Sequence, residues 1–411
     1  MITRIDVDGF KSLVDVGIDV PPFLALIGPN GSGKSNLLEA LRFVADTVDD
    51  GFDAAAGTHP RGHGPQLFHH TGAGPVTSFR VTVGMLVASE VGPLPVRVRV
   101  VGRLVDDFAV MDEASRLWVD NLEQREWMDR LGVAPQLRKA ISDARDAFLA
   151  QGGSTSVELR SDGRPDPGEL VSLVRKECST WPALALDPRT MRAPAQRVGK
   201  AHEFVNLRPD GANLAEVLDN LEGRRLLGDL NLDLGALIPG AESVVALFDA
   251  RREEYDFDLV LVGDGPTIPP LLSDGTLRVL GTLAASYAGS TGGTLVIEEI
   301  ENGLHPTRLA ELLRRLLRDV SDLSRERADR PLRQLVVTTH SPVLMSALRE
   351  RVDGSLILLD PAIHYGPEPG SRSTITWARP VREQATGDDP GVCATPYEVR
   401  RLLDTVTGGT G

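Results

Sequence analysis

Cysteine is nearly missing from this chain: Cys178 and Cys393 stand far apart, and neither belongs to a CxxC pair. That excludes a disulfide framework and a cysteine zinc site from the first reading, and it suits a reducing cytoplasm. Lysine is scarce too, at 5 residues against 39 arginines. With abundant Ala, Gly, Val and Asp, that skew matches the codon bias of a GC-rich genome and says nothing of function by itself. No apolar run approaches the ~18 residues of a membrane span. The opening MITRIDVDGFKSLVDV lacks a basic segment followed by an apolar one, so no signal peptide is expected. Positive charge is also in deficit: 44 basic residues against 58 acidic ones leave a net charge of −14. The molecule as a whole exerts no pull on nucleic acid, and any such contact has to come from a local patch. What is present is ordinary for a globular protein, with 41% hydrophobic and 25% charged residues. At 411 residues the chain is roughly twice the usual domain size, so a second lobe or an insertion is expected.

Apolar and polar residues alternate through Ile2, Ile5, Val7 and then Val14, Val16, Ile18, Val20, before a short apolar run from Phe23 to Ile27. This predicts an antiparallel strand pair followed by a buried strand. From Asn36 the period becomes helical, with Leu37, Leu38, Leu41 and Val44 on one face. Residues 49–75, rich in Gly, Pro, His and Asp, read as an exposed loop, and Phe79-Val81-Val83 and Val96-Val98-Val100 read as strands. Residues 104–180 change character, with helical patterns over 112–131 and 136–150. Strand patterns return at Val244–Leu247 and Phe257–Val262. Helices over 275–287 and 306–320 then alternate with apolar strands at Leu295–Ile297, Leu335–Thr338 and Leu356–Leu359. Such alternation implies a parallel sheet with crossover helices. The expected division is 1–103, an inserted helical lobe over 104–200, 201–380, and a tail with a short helix over 381–411.

Gly28-Pro29-Asn30-Gly31-Ser32-Gly33-Lys34-Ser35 fits GxxxxGK[ST] and is followed by Asn36. It leaves an apolar strand and opens an amphipathic helix, the context that this phosphate loop requires. Its glycines let successive N–H groups turn inward toward phosphate oxygens, and the helix N-terminus adds its positive dipole end. Lys34 can reach the β and γ phosphates of ATP, and the Ser35 hydroxyl can ligate Mg²⁺. Three downstream segments join it. Thr294-Leu295-Val296-Ile297-Glu298-Glu299 is a buried strand ending in two carboxylates. One can hold a metal and the other can orient or deprotonate a water, at the strand end that faces the ligand crevice of open α/β sheets. Leu335 to Thr339 is a second such strand, ending in His340-Ser341-Pro342. Leu272-Ser273-Asp274-Gly275-Thr276 precedes a helix, where it can serve as a cap or bind an anion.

Taken in order, GPNGSGKSN, LSDGT, LVIEEIENGLHP and VVTTHSP resemble the ABC-type ATPase heads of the RecF/SMC/Rad50/OLD kind, and most of all the compact bacterial "AAA family" of that superfamily. The likeness spans about 1–48 and 200–360, and includes the opening ITRIDVDGFKSL and the segment LRPDGANLAEVLDNL. It implies an α/β head with a mostly parallel core sheet, an antiparallel β-subdomain and an inserted helical lobe. Lys34 and Ser35 take the Walker A roles within a nucleotide cradle of Asn30, Gly31, Ser32, Gly33 and Asn36. Ser273, Asp274 and Gly275 match the signature motif. Glu298 stands where Walker B has its metal-binding aspartate, Glu299 matches the catalytic glutamate, and His340 matches the switch histidine. Glu301 to Pro306 matches the D-loop. Two departures are Glu298 for Asp and Ile300 for the usual Pro. Gln66 and Phe10 are candidates for a Q-loop residue and an adenine-stacking aromatic.

The implied activity is Mg²⁺-dependent ATP hydrolysis by a homodimer, or an assembly of dimers, that sandwiches two nucleotides and regulates a separate nuclease-like or toxin effector in antiphage defence. The effector would come from a neighbouring gene. A RecF-like DNA clamp in repair is the alternative, so a DNA contact is among the expected partners and a membrane is not. A transporter ATPase fits the ENGLHP ending less well. The 104–180 stretch is too short for the arms of SMC or Rad50 proteins. Only 71 residues follow His340, without DxD spacing, so the nuclease domain of OLD-type proteins is expected on another chain. Asp388-Asp389 reads as a solvated turn, and His59, His63, His69 and His70 read as residues of a solvent loop. Arg308, Arg314, Arg315 and Arg318 read as a salt-bridged helix face, with Glu311 and Asp319 at hand.

Overall fold

The computed structural model describes residues 1–58, 64–120, 126–162, 168–197, 205–289, 292–325, 331–341, 344, 348, 354–366, 372–382 and 393–407. His59, His63, Pro342, Asp388 and Asp389 lie outside them.

Phe23–Ile27 is the hub. Every one of its residues is buried, as a strand covered on both faces must be. It pairs in parallel with Arg333–Thr339 on one side and Leu356–Tyr365 on the other. Gly293–Ile297 continues the parallel set beyond Arg333–Thr339, and Arg372–Pro380 closes the far edge antiparallel to Leu356–Tyr365. Because side chains alternate along a strand, the hub feeds two cores. Phe23, Ala25 and Ile27 pack with the helices of the second half of the chain, including Leu214–Gly223, Leu227–Leu237, Asp274–Ala288 and Pro306–Arg318. Leu24 and Leu26 pack with the helix Lys34–Asp50 and an antiparallel sheet.

That antiparallel sheet runs in the order Ser156–Glu158, Arg116–Val119, Gly92–Val105, Ser78–Ser89, Ile2–Asp8, Val16–Asp19, with Phe108–Met111 also paired to Gly92–Val105. Its inner face carries Val81, Val83, Val96, Val98 and Val100. A smaller antiparallel unit, Ala241–Asp249 with Glu254–Leu261, sits over the helices that precede the LSDGT segment. The α/β head expected from the motifs is therefore present.

Three sequence readings change. Residues 112–131, patterned as helix, form the strand Arg116–Val119, and helix begins only at Glu126. The inserted region thus adds strands to the sheet edge as well as the helices Pro135–Ala150 and Glu169–Cys178. The expected loop over 49–75 holds a helix at Phe52–Thr58 and a short 3₁₀ turn at Gly64–Leu67. His69 is not a solvent-loop residue. It is 3% exposed, with one ring nitrogen 2.5 Å from the Lys11 carbonyl oxygen and the other 2.8 Å from Ser373 Oγ; His70, by contrast, is exposed.

Candidate nucleotide site

The phosphate loop leaves the hub strand where Gly28 N–H donates to the Thr339 carbonyl at 3.3 Å. Gly31 and Gly33 have φ of 79° and 97°, the left-handed region that glycine enters without steric cost. At Gly33 space demands glycine too, since a Cβ there would stand 1.9 Å from Thr376 Oγ1. Thr376 and Ser12 share a 2.6 Å hydroxyl contact, and Asn36 Nδ2 donates to Ser12 Oγ at 2.7 Å. The loop is thus braced by an edge strand and by the turn between the first two strands. Over Gly31 the space is open, and Asn30 is exposed.

Lys34 is 6% exposed and folds back to donate to the Gly28 and Pro29 carbonyls at 2.7 and 2.9 Å. Burial pushes its ammonium below the ordinary lysine range, while Glu299, Glu301 and Glu298 pull it back up. Ser35 Oγ donates to Glu298 Oε1 at 2.6 Å. A hydroxyl and a carboxylate from two distant segments therefore meet beside the lysine. These are hard oxygen ligands of the kind Mg²⁺ takes, usually one or two from protein with the rest from phosphates and water. Ser32 Oγ, in a residue 1% exposed, has no hydrogen-bond partner among the described residues and is an orphan group within the loop. Together these features fit a loop built around a Mg·nucleotide.

The two acids at the strand end part company. Glu299 has φ of 48°, a left-handed conformation that costs a non-glycine residue about 1–3 kcal/mol and gathers at functional sites. It is held by its N–H to Thr338 Oγ1 at 2.8 Å and by Asn302 Nδ2 to its own Oε2 at 2.6 Å. Ile300 N–H donates to the Thr338 carbonyl at 3.2 Å, a bond that the usual proline could not make. Glu301, which sequence reasoning placed only in the D-loop stretch, is the organiser. Its Oε1 accepts from Thr339 Oγ1 at 2.8 Å and from the His340 N–H at 2.7 Å, and lies 3.1 Å from His340 Nδ1 without hydrogen-bond alignment. The signal was available in the ExE spacing of Glu299 and Glu301. Thr338, Ser12 and Thr376 carried no local signal.

Ser273, Asp274 and Gly275 stand apart. Ser273 Oγ caps the helix Asp274–Ala288 by accepting from Thr276 N–H at 3.1 Å. Arg192 donates to Asp274 Oδ1 at 2.6 Å and so holds that carboxyl below the usual range. A Cβ on Gly275 would meet the Gly303 carbonyl at 2.8 Å, so this turn packs against the D-loop stretch. Ser273 and Asp274 are solvent-exposed. Phe10 is not an adenine platform: it is fully buried against Phe43 and Phe79. Gln66 is exposed in the 3₁₀ turn.

The chain is similar to known proteins in sequence and in fold. The family model described as "AAA domain, putative AbiEii toxin, Type IV TA system" matches residues 23–97 and 184–346. Over 364 residues the chain is 24% identical to the OLD nuclease of Thermus scotoductus, covering 85% of this chain and 60% of that protein. A short stretch of 44 residues, 10% of this chain and 4% of the relative, is 46% identical to the chromosome partition protein Smc of Methanocaldococcus jannaschii. Among solved structures, an Smc head bound to the C-terminal winged-helix domain of ScpA superposes with a TM-score of 0.51 at 14% identity, over 92% of this chain and 98% of that one. The last likeness is one of fold. Among the described residues no helix is long and apolar enough to cross a membrane.

Proposed function

The chain belongs to the AAA-domain family, here with the fold of an ABC-type ATPase head, and from that premise we propose that it hydrolyses Mg·ATP in a site shared between two copies and thereby controls a separate effector. The observation that carries the catalytic half is the 2.6 Å contact of Ser35 Oγ with Glu298 Oε1, with Glu299 beside it in a left-handed conformation. Lys34 leaves the loop carbonyls to contact the β and γ phosphates, and the loop N–H groups hold the rest of the chain of phosphates. Ser35 and Glu298 would hold Mg²⁺, which would supply neutralisation of charge on the phosphates. Glu299 takes the proton of the attacking water. His340, oriented by Glu301, faces the γ-phosphate.

The regulatory half rests on the signature turn. Ser273 is exposed and accepts from Thr276 N–H of its own helix, while Asp274 is held by Arg192 and Gly275 packs against Gly303. A two-fold pair of heads would bring it to the partner's phosphate loop, and ATP would then favour the engaged state. The family description names a toxin, and the Thermus relative is a nuclease. Both support an effector role in defence for the assembly, although the chain spans about 60% of that relative's length. The test is phosphate release with and without Mg²⁺, paired with calorimetric titration of ATP. Lys34→Ala should lose both ATP binding and turnover. Unchanged nucleotide affinity in that variant would remove the assignment of the loop.

A further inference from the structure

At the end of the core sheet remote from the nucleotide site, where Gly293–Ile297 and Arg333–Thr339 begin, the protein is hollow. Two adjoining cavities of about 500 and 270 Å³ share Ser179, Thr180, Asn206, Gly289, Gly292 and Gly293 as their boundary. The larger is walled by Leu86, Leu137, Leu173 and Leu332, where the helices Pro135–Ala150 and Glu169–Cys178 of the inserted region meet the strand Ser78–Ser89. The smaller is walled by Leu184, Leu207, Leu295, Leu316 and Leu335. None of the described residues lining either cavity is aromatic. Small-molecule sites are concave and mostly apolar, of about 300–1,000 Å³, with a small number of placed polar groups. The larger cavity alone reaches that size.

Most polar groups of the lining are engaged within the fold. Glu177 is buried, pairs with the Met1 ammonium, and accepts from Trp181 Nε1 at 3.4 Å and Thr294 Oγ1 at 3.2 Å. Gln334 is held by the Ile2 backbone and by Thr294. Arg333 donates to the Ser286 carbonyl at 2.7 Å and pairs with Asp319 at 3.4 Å. Lys176 and Arg208 differ. Each lines one of the two cavities, both are exposed, and neither forms an ion pair among the described residues. The lining thus joins aliphatic walls to two cations at its edges.

We propose that the joined cavities bind an aliphatic carboxylate, with its chain along the leucine walls and its head on Lys176 or Arg208, and that its occupancy couples to the nucleotide site. Walls without rings give a nucleobase nothing to stack on. They suit an alkyl chain, which gains about four-fold in affinity for each methylene buried. The cations select an anionic head over a neutral one. Coupling follows from what the boundary touches. The helix Asp274–Ala288 starts at the signature turn and ends at Gly289. The strand Gly293–Ile297 runs on to Glu298 and Glu299, and Arg333–Thr339 runs on to His340. Arg333 ties the start of the second strand to the last turn of that helix. A ligand that fits one setting of these elements better than another shifts both sites, and ATP must then shift the ligand by the same factor. The coupling rests on the ATPase reading; the cavity site does not.

The experiment is calorimetric titration of the full chain with sodium decanoate, kept below the concentration at which it forms micelles. Wild type should take up about one decanoate per chain, since such sites are few per protein. Lys176→Glu/Arg208→Glu should bind at least about ten-fold more weakly, the loss of a charge-assisted contact. Its melting temperature should match wild type, because both side chains are exposed. Ser179→Trp sets a ring at the boundary of the two cavities and should weaken decanoate by at least about ten-fold as well. Decanol, without the charge, should bind wild type and the double variant alike. In wild type, saturating decanoate should change ATP affinity by about five-fold or more. Lys34→Ala should bind decanoate as wild type does. No uptake by wild type, uptake of many molecules without saturation, or wild-type affinity in both variants would overturn the site. Identical ATP titrations with and without decanoate would overturn the coupling. A wild type that binds no ATP would overturn the nucleotide reading and the coupling with it, and the decanoate titration would still decide the site.

Discussion

The phosphate-loop side and the signature side of the site are built in opposite ways. On the first, segments 38 to 364 residues apart close onto one another: Ser35 on Glu298, Thr376 on Ser12 and Gly33, Glu301 on Thr339 and His340. On the second, Ser273 caps its own helix, Asp274 turns to Arg192, and both stay exposed. A catalytic group that is finished inside one chain needs no partner, whereas on the proposed function the exposed signature turn is completed by a second copy. On the proposed function, chemistry lies on one side and assembly on the other, and substitutions on the two sides should then fail differently.

The largest effect is expected from Glu299→Gln. The amide keeps the size and the hydrogen bond from Asn302 but cannot accept a proton, so turnover should fall by about 10²–10⁴-fold. Glu298 and Ser35 remain, so Mg·ATP should still bind. Size-exclusion chromatography should then show an ATP-dependent shift to dimer, larger than for wild type. Wild-type turnover in this variant would pass the proton-accepting role to Glu298 or another group.

This contrast also marks how far the sequence could be read. Gly28 to Asn36, Glu298, Glu299 and His340 were legible because each sits at a strand end with a local pattern around it. The hub strand, Phe23–Ile27, was legible because a short apolar run between a Pro pair and a Gly has few other readings. Thr376, Ser12 and His69 were not legible, since their partners are set by sheet register over long separations. Arg116 to Val119 was misread because four residues of strand amid charges match a helical stripe as well as an alternating one. Phe10 was misjudged for a related reason: nothing local distinguishes an aromatic in a buried ring cluster from one on a ledge.

Ser273→Arg probes the other side and should act more weakly on the isolated chain. ATP binding should be kept, because the contacts of Lys34 and Ser35 lie elsewhere. Turnover should drop by about 10²-fold if the serine completes a partner's site. Mixed in equal amounts with Lys34→Ala, it should recover about a quarter of wild-type turnover, since half the dimers are mixed and each has one intact composite site. A mixture as dead as its two components would argue that the sites fire only together or that each chain uses its own signature.

The smallest effect concerns what holds the signature helix in place. Asp233 accepts from Tyr287 Oη at 2.9 Å near the end of that helix, from Arg318 at 2.8 Å, and from Arg315. Burial alone would raise its pKa, but these donors outweigh burial and hold the carboxyl below its usual range. Asp233→Ala removes a charged acceptor shared by three helices, a loss of about 1–2 kcal/mol for partly exposed groups. In a chain of this size that lowers the melting temperature by about 1–2 °C. The sign with pH follows from the depressed carboxyl. Its stabilisation is complete above the unfolded value of about 4 and is lost as pH falls through the folded one. The gap between wild type and variant should therefore be widest near neutrality and close in acid. Because the lesion lies in the signature lobe, ATP titration of Asp233→Ala should match wild type while ATP-dependent dimerisation weakens. Equal weakening of both would show that the two sides are not separable in the way their contacts imply.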